Sequence, residues 1–258
     1  MDILVPMKFV PDPVEEMEID EDTGLLDRTF MRLIPSELDE HALEQAILLK
    51  EKFGGSVTVL AFDCGDVEDT LYTAVAKGAD RVIKIGGEGF EEGVSNHAGV
   101  EALLPLVQEI TFDWILIGTQ ALDDLDGSLG ALLAARLGIP YVGYITGVEP
   151  DGAKLKVRKE FPGGLLAELE LQKPAVLGIQ AADQAPRYVV TNLVMEAMRS
   201  ATLEDRESEI APTHGIAEIR RMSVPEAGAR AEWLQGDAEE VAAGLVHLLQ
   251  EKGLVAQH

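Results

Sequence analysis

Three aspartates within four residues, Asp123, Asp124 and Asp126, lie between Gly118 and Gly127. The full stretch, Trp114–Leu129, begins with the apolar run Trp-Ile-Leu-Ile and closes on Ser128-Leu129, where a helix of small residues can begin. A buried strand that breaks at glycine and feeds a helix N-terminus is the layout of a ligand crevice in an open α/β sheet. Backbone N–H groups and a helix N-terminus can hold a dianionic phosphate without a lysine, so a phosphate-bearing nucleotide is one reading of Gly118–Leu129. The other is a plain strand-to-helix corner, which also needs glycine and a capping Ser or Asp. Asp123 and Asp124 cannot both face a phosphate as bare anions. At least one must cap backbone or meet ribose hydroxyls.

Other reactive types are sparse. The single cysteine, Cys64, excludes an internal disulfide and a multi-cysteine metal site. It reads as a small apolar filler rather than a redox centre. His41 falls on a helical pattern and reads as a surface or core histidine rather than a catalytic group. No GxxxxGK[ST] motif and no clustered His or Lys in the loop support nucleotide hydrolysis.

The 258-residue chain is 47% hydrophobic and carries a formal net charge of −25. That length supports one large domain, or a domain plus an arm. The charge argues against nucleic acid and anionic lipid and permits a basic protein partner. No apolar run reaches the roughly 18–20 residues of a membrane span, and the first ten residues resemble neither a secretory nor a transit signal. A cytoplasmic protein without membrane insertion is expected.

The elements that must position the loop follow in order. Ile3–Val5 starts a buried strand that runs to Lys8 and stops at Val10-Pro11-Asp12-Pro13. Glu15–Leu33 is expected to form a hairpin turning at Asp20–Gly24. Ser36 is expected to cap a helix through Leu49, with Asp39 or Glu40 completing a capping box. Strands at Val57–Phe62, Arg81–Ile85 and Trp114–Ile117 alternate with helices at Val67–Ala76 and 96–110. Past Pro140, strands are expected at Tyr141–Val148, Lys154–Phe161, Leu165–Leu171 and Ala175–Gln180, then a helix over 192–200. Leu203–Pro225 reads as an extended arm, and Asp237–Lys252 as an amphipathic helix capped by Asp237. The fold class is α/β: a Rossmann-like, mainly parallel sheet with helices on both faces, plus a C-terminal arm and helix.

Several segments together resemble the beta subunit of electron transfer flavoproteins. They are Ile3–Lys8, Lys77-Gly78-Ala79-Asp80-Arg81, Gly118–Asp124, Val157–Glu160 with Gly163-Gly164, Lys173–Val176, Pro186-Arg187-Tyr188 and Arg220–Pro225, in family order across almost the whole chain. The resemblance implies a heterodimer whose alpha subunit carries most of an FAD site. The beta subunit then binds AMP as a structural ligand, or a second FAD in bifurcating members that oxidise NADH. Electrons pass from flavin dehydrogenases, such as acyl-CoA dehydrogenases, towards a quinone oxidoreductase; the subunit is a carrier rather than a substrate-converting enzyme.

Carried over residue by residue, the resemblance places Pro6, Ser36, Glu37, Leu38, Asp39 and Cys64 at the cofactor. Around the phosphate it places Gly118, Thr119, Gln120, Ala121, Leu122, Asp123, Asp124, Leu125, Asp126, Gly127, Ser128 and Leu129. It places Glu160, Arg187, Tyr188, Val190, Thr191 and Leu193 at partner recognition. Residues 1–200 form the nucleotide-binding domain, and 201–258 an arm and helix packing on the partner subunit. The chain departs from the family pattern at Pro13 and Leu38, where some members set aromatic rings by the flavin, at Thr191, where a leucine anchor is common, and at Pro162 and Ala167. Asp123–Gly130 differs from the bifurcating pattern and favours AMP, whereas Val10-Pro11-Asp12 resembles bifurcating members. A lone nucleotide-binding regulatory protein is the reading from another class.

Overall fold

The computed structural model describes residues 1–255 except 66, 125, 126, 153, 214–218, 220, 226, 227, 229, 230 and 232. In chain order the strands are β1 (Asp2–Met7), β2 (Phe9–Pro11), β3 (Leu33–Pro35), β4 (Ser56–Phe62), β5 (Arg81–Gly86), β6 (Trp114–Gly118), β7 (Tyr141–Asp151), β8 (Lys154–Phe161), β9 (Leu165–Gln172), β10 (Ala175–Ile179) and β11 (Leu203–Glu207). The helices are α1 (Glu37–Phe53), α2 (Val67–Lys77), α3 (Asn96–Glu109), α4 (Leu129–Leu137), α5 (Thr191–Ser200) and α6 (Ala238–Glu251).

Nine strands make one sheet in the order β11-β5-β4-β1-β6-β10-β7-β8-β9. Seven of them run parallel, and β8 and β9 extend the sheet as an antiparallel meander. Strands covered on both faces read as continuous apolar runs, which is why β1, β4, β5 and β6 are visible in sequence. Right-handed crossovers put α1 and α2 on one face and α3 and α4 on the other. The chain leaves β1 towards β4 and β5, then returns to place β6 on the other flank of β1. The carboxyl ends of β1 and β6 therefore border the switch point, where sheets of this kind bind ligands.

Three expectations change. The hairpin over Glu15–Leu33 is reduced to one bridge, Ile19 with Leu26, although its turn forms as expected. The Asp20 carboxylate accepts from the Thr23 N–H at 2.7 Å, and Gly24 has a φ of 69°. The arm expected from Leu203 begins instead with β11, parallel to β5. Leu203-Glu-Asp-Arg-Glu lacks an apolar run, and ionic contacts assist the edge pairing: Arg81 grips Glu204 through two bonds of 2.6 and 2.7 Å. The third change concerns the start of α1 and belongs to the site.

The chain divides into two compact units, Met1–Arg221 and Met222–His258. The first holds the sheet and α1 to α5. The second holds α6, where Asp237 accepts from the Glu239 and Glu240 N–H groups and Glu240 returns a bond to the Asp237 N–H. No described residue of α6 is buried.

Candidate functional site

Strand β1 delivers Lys8 to the switch point, and β6 delivers Gly118. Asp39, in the first turn of α1, joins them. One carboxylate oxygen accepts from the Lys8 N–H at 2.8 Å and the other from the Gly118 N–H at 2.7 Å. This replaces the expected capping box. The Ser36 side chain makes no capping bond, and its N–H donates to the Lys8 carbonyl. Asp39 is turned inward because two strand-end N–H groups need an acceptor where water cannot reach. Burial pushes its carboxyl up to about 7, against the opposing pull of the two N–H bonds and the Lys8 charge.

The junction has no slack. A Cβ on Gly118 would lie 2.8 Å from both the Asp39 nitrogen and the Leu38 carbonyl carbon, which are backbone atoms. Gly118→Ala should therefore lower stability by about 1–3 kcal/mol, the usual cost of overpacking. Urea unfolding measures this, and an unchanged midpoint would show that the start of α1 can shift.

The acidic loop closes over Lys8. Its ammonium bridges Asp123 at 2.8 Å and Asp124 at 2.5 Å. Burial lowers the affinity of that ammonium for its proton, but the two carboxylates outweigh this and the pKa is raised. Asp124 also accepts from the Ala121 N–H at 3.1 Å, while the Gln120 amide donates to the Asp124 carbonyl at 3.2 Å. Thr119 ties the loop to the rest of the sheet. Its N–H donates to the Ile179 carbonyl, and its hydroxyl accepts from the Tyr144 N–H at 3.2 Å. Tyr144 has a φ of 61°, a backbone conformation uncommon outside glycine. Gly127 has a φ of 59°, and a Cβ there would meet the Thr119 carbonyl oxygen at 2.8 Å.

Lys8, Asp39, Gly118, Thr119, Asp124 and Gly127 border an open recess with about 220 Å³ of empty space, open solvent included.

The structure brings together Asp39, Gly118, Thr119, Ala121, Asp124, Gly127 and Leu129, all of which line the recess. Asp123 joins them through Lys8, and Ser128 accepts from the Asn96 amide at 3.4 Å just before α4. Pro6 is buried within β1, and Leu38 is half-buried. Glu37, Gln120 and Leu122 are exposed. Leu125 and Asp126 lie outside the described residues. Cys64 is buried beyond β4, and burial pushes its thiol up to about 12, which leaves no thiolate for chemistry. Among the described residues no group of acidic, His or Cys side chains could hold a metal ion.

Lys8 is the site residue missed in the sequence. It answers how Asp123 and Asp124 coexist, but it lies 115 and 116 positions from them, and only the β1–β6 adjacency reveals the pairing.

The expected recognition residues lie elsewhere. Glu160 is exposed on β8, in register with Leu166 of β9. Tyr188, Val190, Thr191 and Leu193 are exposed around the start of α5. Arg187 points back onto α1 and is held there by Glu44 and Glu51.

Comparison with known proteins bears on this arrangement. The model of the electron transfer flavoprotein domain matches residues 28–211. The chain belongs to the electron transfer flavoprotein beta-subunit family. It is 29% identical to the electron transfer flavoprotein subunit beta of Methylophilus methylotrophus, over 97% of this chain and 98% of the relative. It is 30% identical to the corresponding subunit of Bacillus subtilis, over 99% and 100% of the two chains. A relative with another function in its name is the acryloyl-CoA reductase electron transfer subunit gamma of Anaerotignum propionicum, 30% identical over 76% of this chain and 74% of its own. In this beta-subunit homologue the matched region contains the α1 start, the Gly118 loop and α5, but not Lys8. No described helix is long and apolar enough to cross a membrane.

Proposed function

We propose that this chain is the beta subunit of a heterodimeric, cytoplasmic electron transfer flavoprotein. It holds AMP at the Gly118–Leu129 loop and helps an alpha subunit enclose FAD. The complex carries electrons from flavin dehydrogenases, such as acyl-CoA dehydrogenases, to a quinone oxidoreductase. The flavin supplies the redox chemistry. The residues of this chain bind, orient and exclude water.

One observation carries the reading: Asp39 fixes Gly118 at the switch point, and Lys8 pairs with two aspartates of the loop. With Lys8 paired to both Asp123 and Asp124, one positive charge offsets part of their two negative charges, and the loop backbone and the α4 N-terminus can face a phosphate without two bare carboxylates beside it. The Asp-Leu-Asp-Gly-Ser filling supports AMP over a second FAD. The acryloyl-CoA reductase relative supports a flavoenzyme of the acyl-CoA class as a partner. A face for the alpha subunit is supported by the second unit, where Trp233 is 86% exposed and α6 leaves Leu245 and Val246 half in solvent.

The second reading is a bifurcating subunit with FAD in the AMP pocket, favoured by Val10-Pro11-Asp12, which begins at β2 beside the site. Co-expression with an alpha-type partner, denaturation and identification of released nucleotides separates the two. One FAD and one AMP per heterodimer is the expected result. Two FAD would replace AMP with the bifurcating reading, and no flavin-binding partner would favour a stand-alone nucleotide-binding regulatory protein.

A further inference from the structure

The segment between β10 and α5 has no regular secondary structure, yet it is held along α1 by a row of side chains. His41, Glu44 and Gln45 project from one side of that helix at three- and four-residue spacing, and Glu51 follows two turns beyond Glu44. The Ala182 N–H donates to His41 Nδ1 at 3.2 Å. Gln45 makes two reciprocal bonds with Asp183, accepting from its N–H at 2.8 Å and donating to its carboxylate at 3.0 Å. Glu44 accepts from the Arg187 N–H at 2.9 Å and from the guanidinium Nε at 2.9 Å. Glu51 takes the other side of the same guanidinium at 2.5 and 3.0 Å.

Glu44 and Gln45 are only 2% and 1% exposed, so their ends of these bonds are buried, while Asp183, Arg187 and Glu51 reach the surface. Three backbone amides of an irregular segment find their acceptors on side chains of one helix. Immediately beyond the last of them the chain turns outward: Tyr188 is 88% exposed, Val190 53% and Leu193 47%.

We infer that the α1 side chains Glu44, Gln45 and Glu51, acting through Arg187 and Asp183, are positioning residues that hold the Tyr188–Leu193 edge in place for a flavoprotein partner. The inference rests on the reading of that edge as a docking surface. Arg187 then works as an anchor inside the chain, and the partner meets the apolar residues that follow it. An apolar anchor contributes most when it is already fixed, because ordering it on binding costs affinity.

The test uses the full heterodimer loaded with FAD, reduced by an acyl-CoA dehydrogenase. Glu44→Gln keeps the shape of the side chain but removes the charge that grips Arg187. It should raise the apparent KM of the dehydrogenase for the heterodimer about tenfold, the effect of losing a charge-assisted bond. The kcat and the FAD and nucleotide content should stay as in the wild type, and hydrogen exchange should quicken at the amides of Asp183 and Arg187. Gln45→Ala removes the bonds to the Asp183 N–H and carboxylate but leaves the Arg187 grip in place, and should raise KM about threefold. It keeps the test open if Glu44→Gln does not assemble. Tyr188→Ala with Leu193→Ala serves as the control on the docking surface. If that double variant raises KM and the α1 variants do not, the positioning role is wrong and the docking reading stands. If none of the three raises KM, the docking reading falls and the inference with it.

Discussion

Asp39→Ala should lose about 2–5 kcal/mol of stability and release the bound nucleotide. The Lys8 and Gly118 N–H groups would both be left buried without an acceptor, each at about 1–3 kcal/mol. Asp39→Asn should recover about half of the loss, since its carbonyl serves one N–H while its amide NH₂ faces the other. The effect also depends on pH. In the folded chain burial raises the carboxyl from 3.8 to about 7, so folding takes up a proton between those values. The Asp39 contribution is fully present below about pH 4 and is lost as the pH climbs through 7. The stability gap between wild type and Asp39→Ala should therefore be wider at pH 5 than at pH 8, on the order of 2–3 kcal/mol. Urea unfolding at both values measures it. Equal gaps would mean that Asp39 stays ionised throughout.

Lys8→Met should cost about 3 kcal/mol and empty the nucleotide site. The substitution preserves the buried stem but leaves Asp123 and Asp124 facing each other and Asp39 with no cation between them. Removing one partner of a buried ion pair costs roughly 3–5 kcal/mol. The lower end applies here because the Asp123 side chain is 30% exposed and partly screened. Adding Asp124→Asn should restore part of the loss, since one of the two stranded charges is then gone. Nucleotide content in the purified heterodimer is the decisive measurement. Full occupancy in Lys8→Met would show that the lysine only tethers the loop and does not condition the site for an anion.

The central parallel strands β1, β4 and β6 were legible because each is covered on both faces. Ile3–Val5, Val57–Phe62 and Trp114–Ile117 are then nearly unbroken apolar runs. β11 was not, because an edge strand of Leu-Glu-Asp-Arg-Glu relies on pairing with β5 and on Arg81 and Lys84 rather than on burial. In the site, residue types marked the strand-to-helix turn at Gly118, since glycines and short polar side chains record a backbone under local constraint. The start of α1 misled for the opposite reason. Ser36 with Asp39 is a good local capping pattern, but β1 and β6 bring two N–H groups to Asp39 from 31 and 79 positions away. A distant demand of that kind leaves no trace in local spacing. The same holds for Lys8, whose partners are set by strand order alone, and for the side chains of α1 that hold Ala182, Asp183 and Arg187.

Helix α1 is thus fixed at two points along its length, by Asp39 near its start and by Glu44 to Glu51 further on. At 1.5 Å per residue, about 18 Å of helix separates Asp39 from Glu51. A residue gained or lost between them would turn one set of contacts by about 100° relative to the other and carry it about 1.5 Å along the axis. Neither set could follow, because Asp39 is tied to the ends of β1 and β6 and the other set to the segment between β10 and α5. Only a change close to two full turns, about seven residues, would return both faces to their partners, and it would move the outward edge by about 10 Å. The number of residues in this helix thus behaves as a fixed gauge length. Side chains on its surface can vary, but insertions and deletions within this stretch cannot.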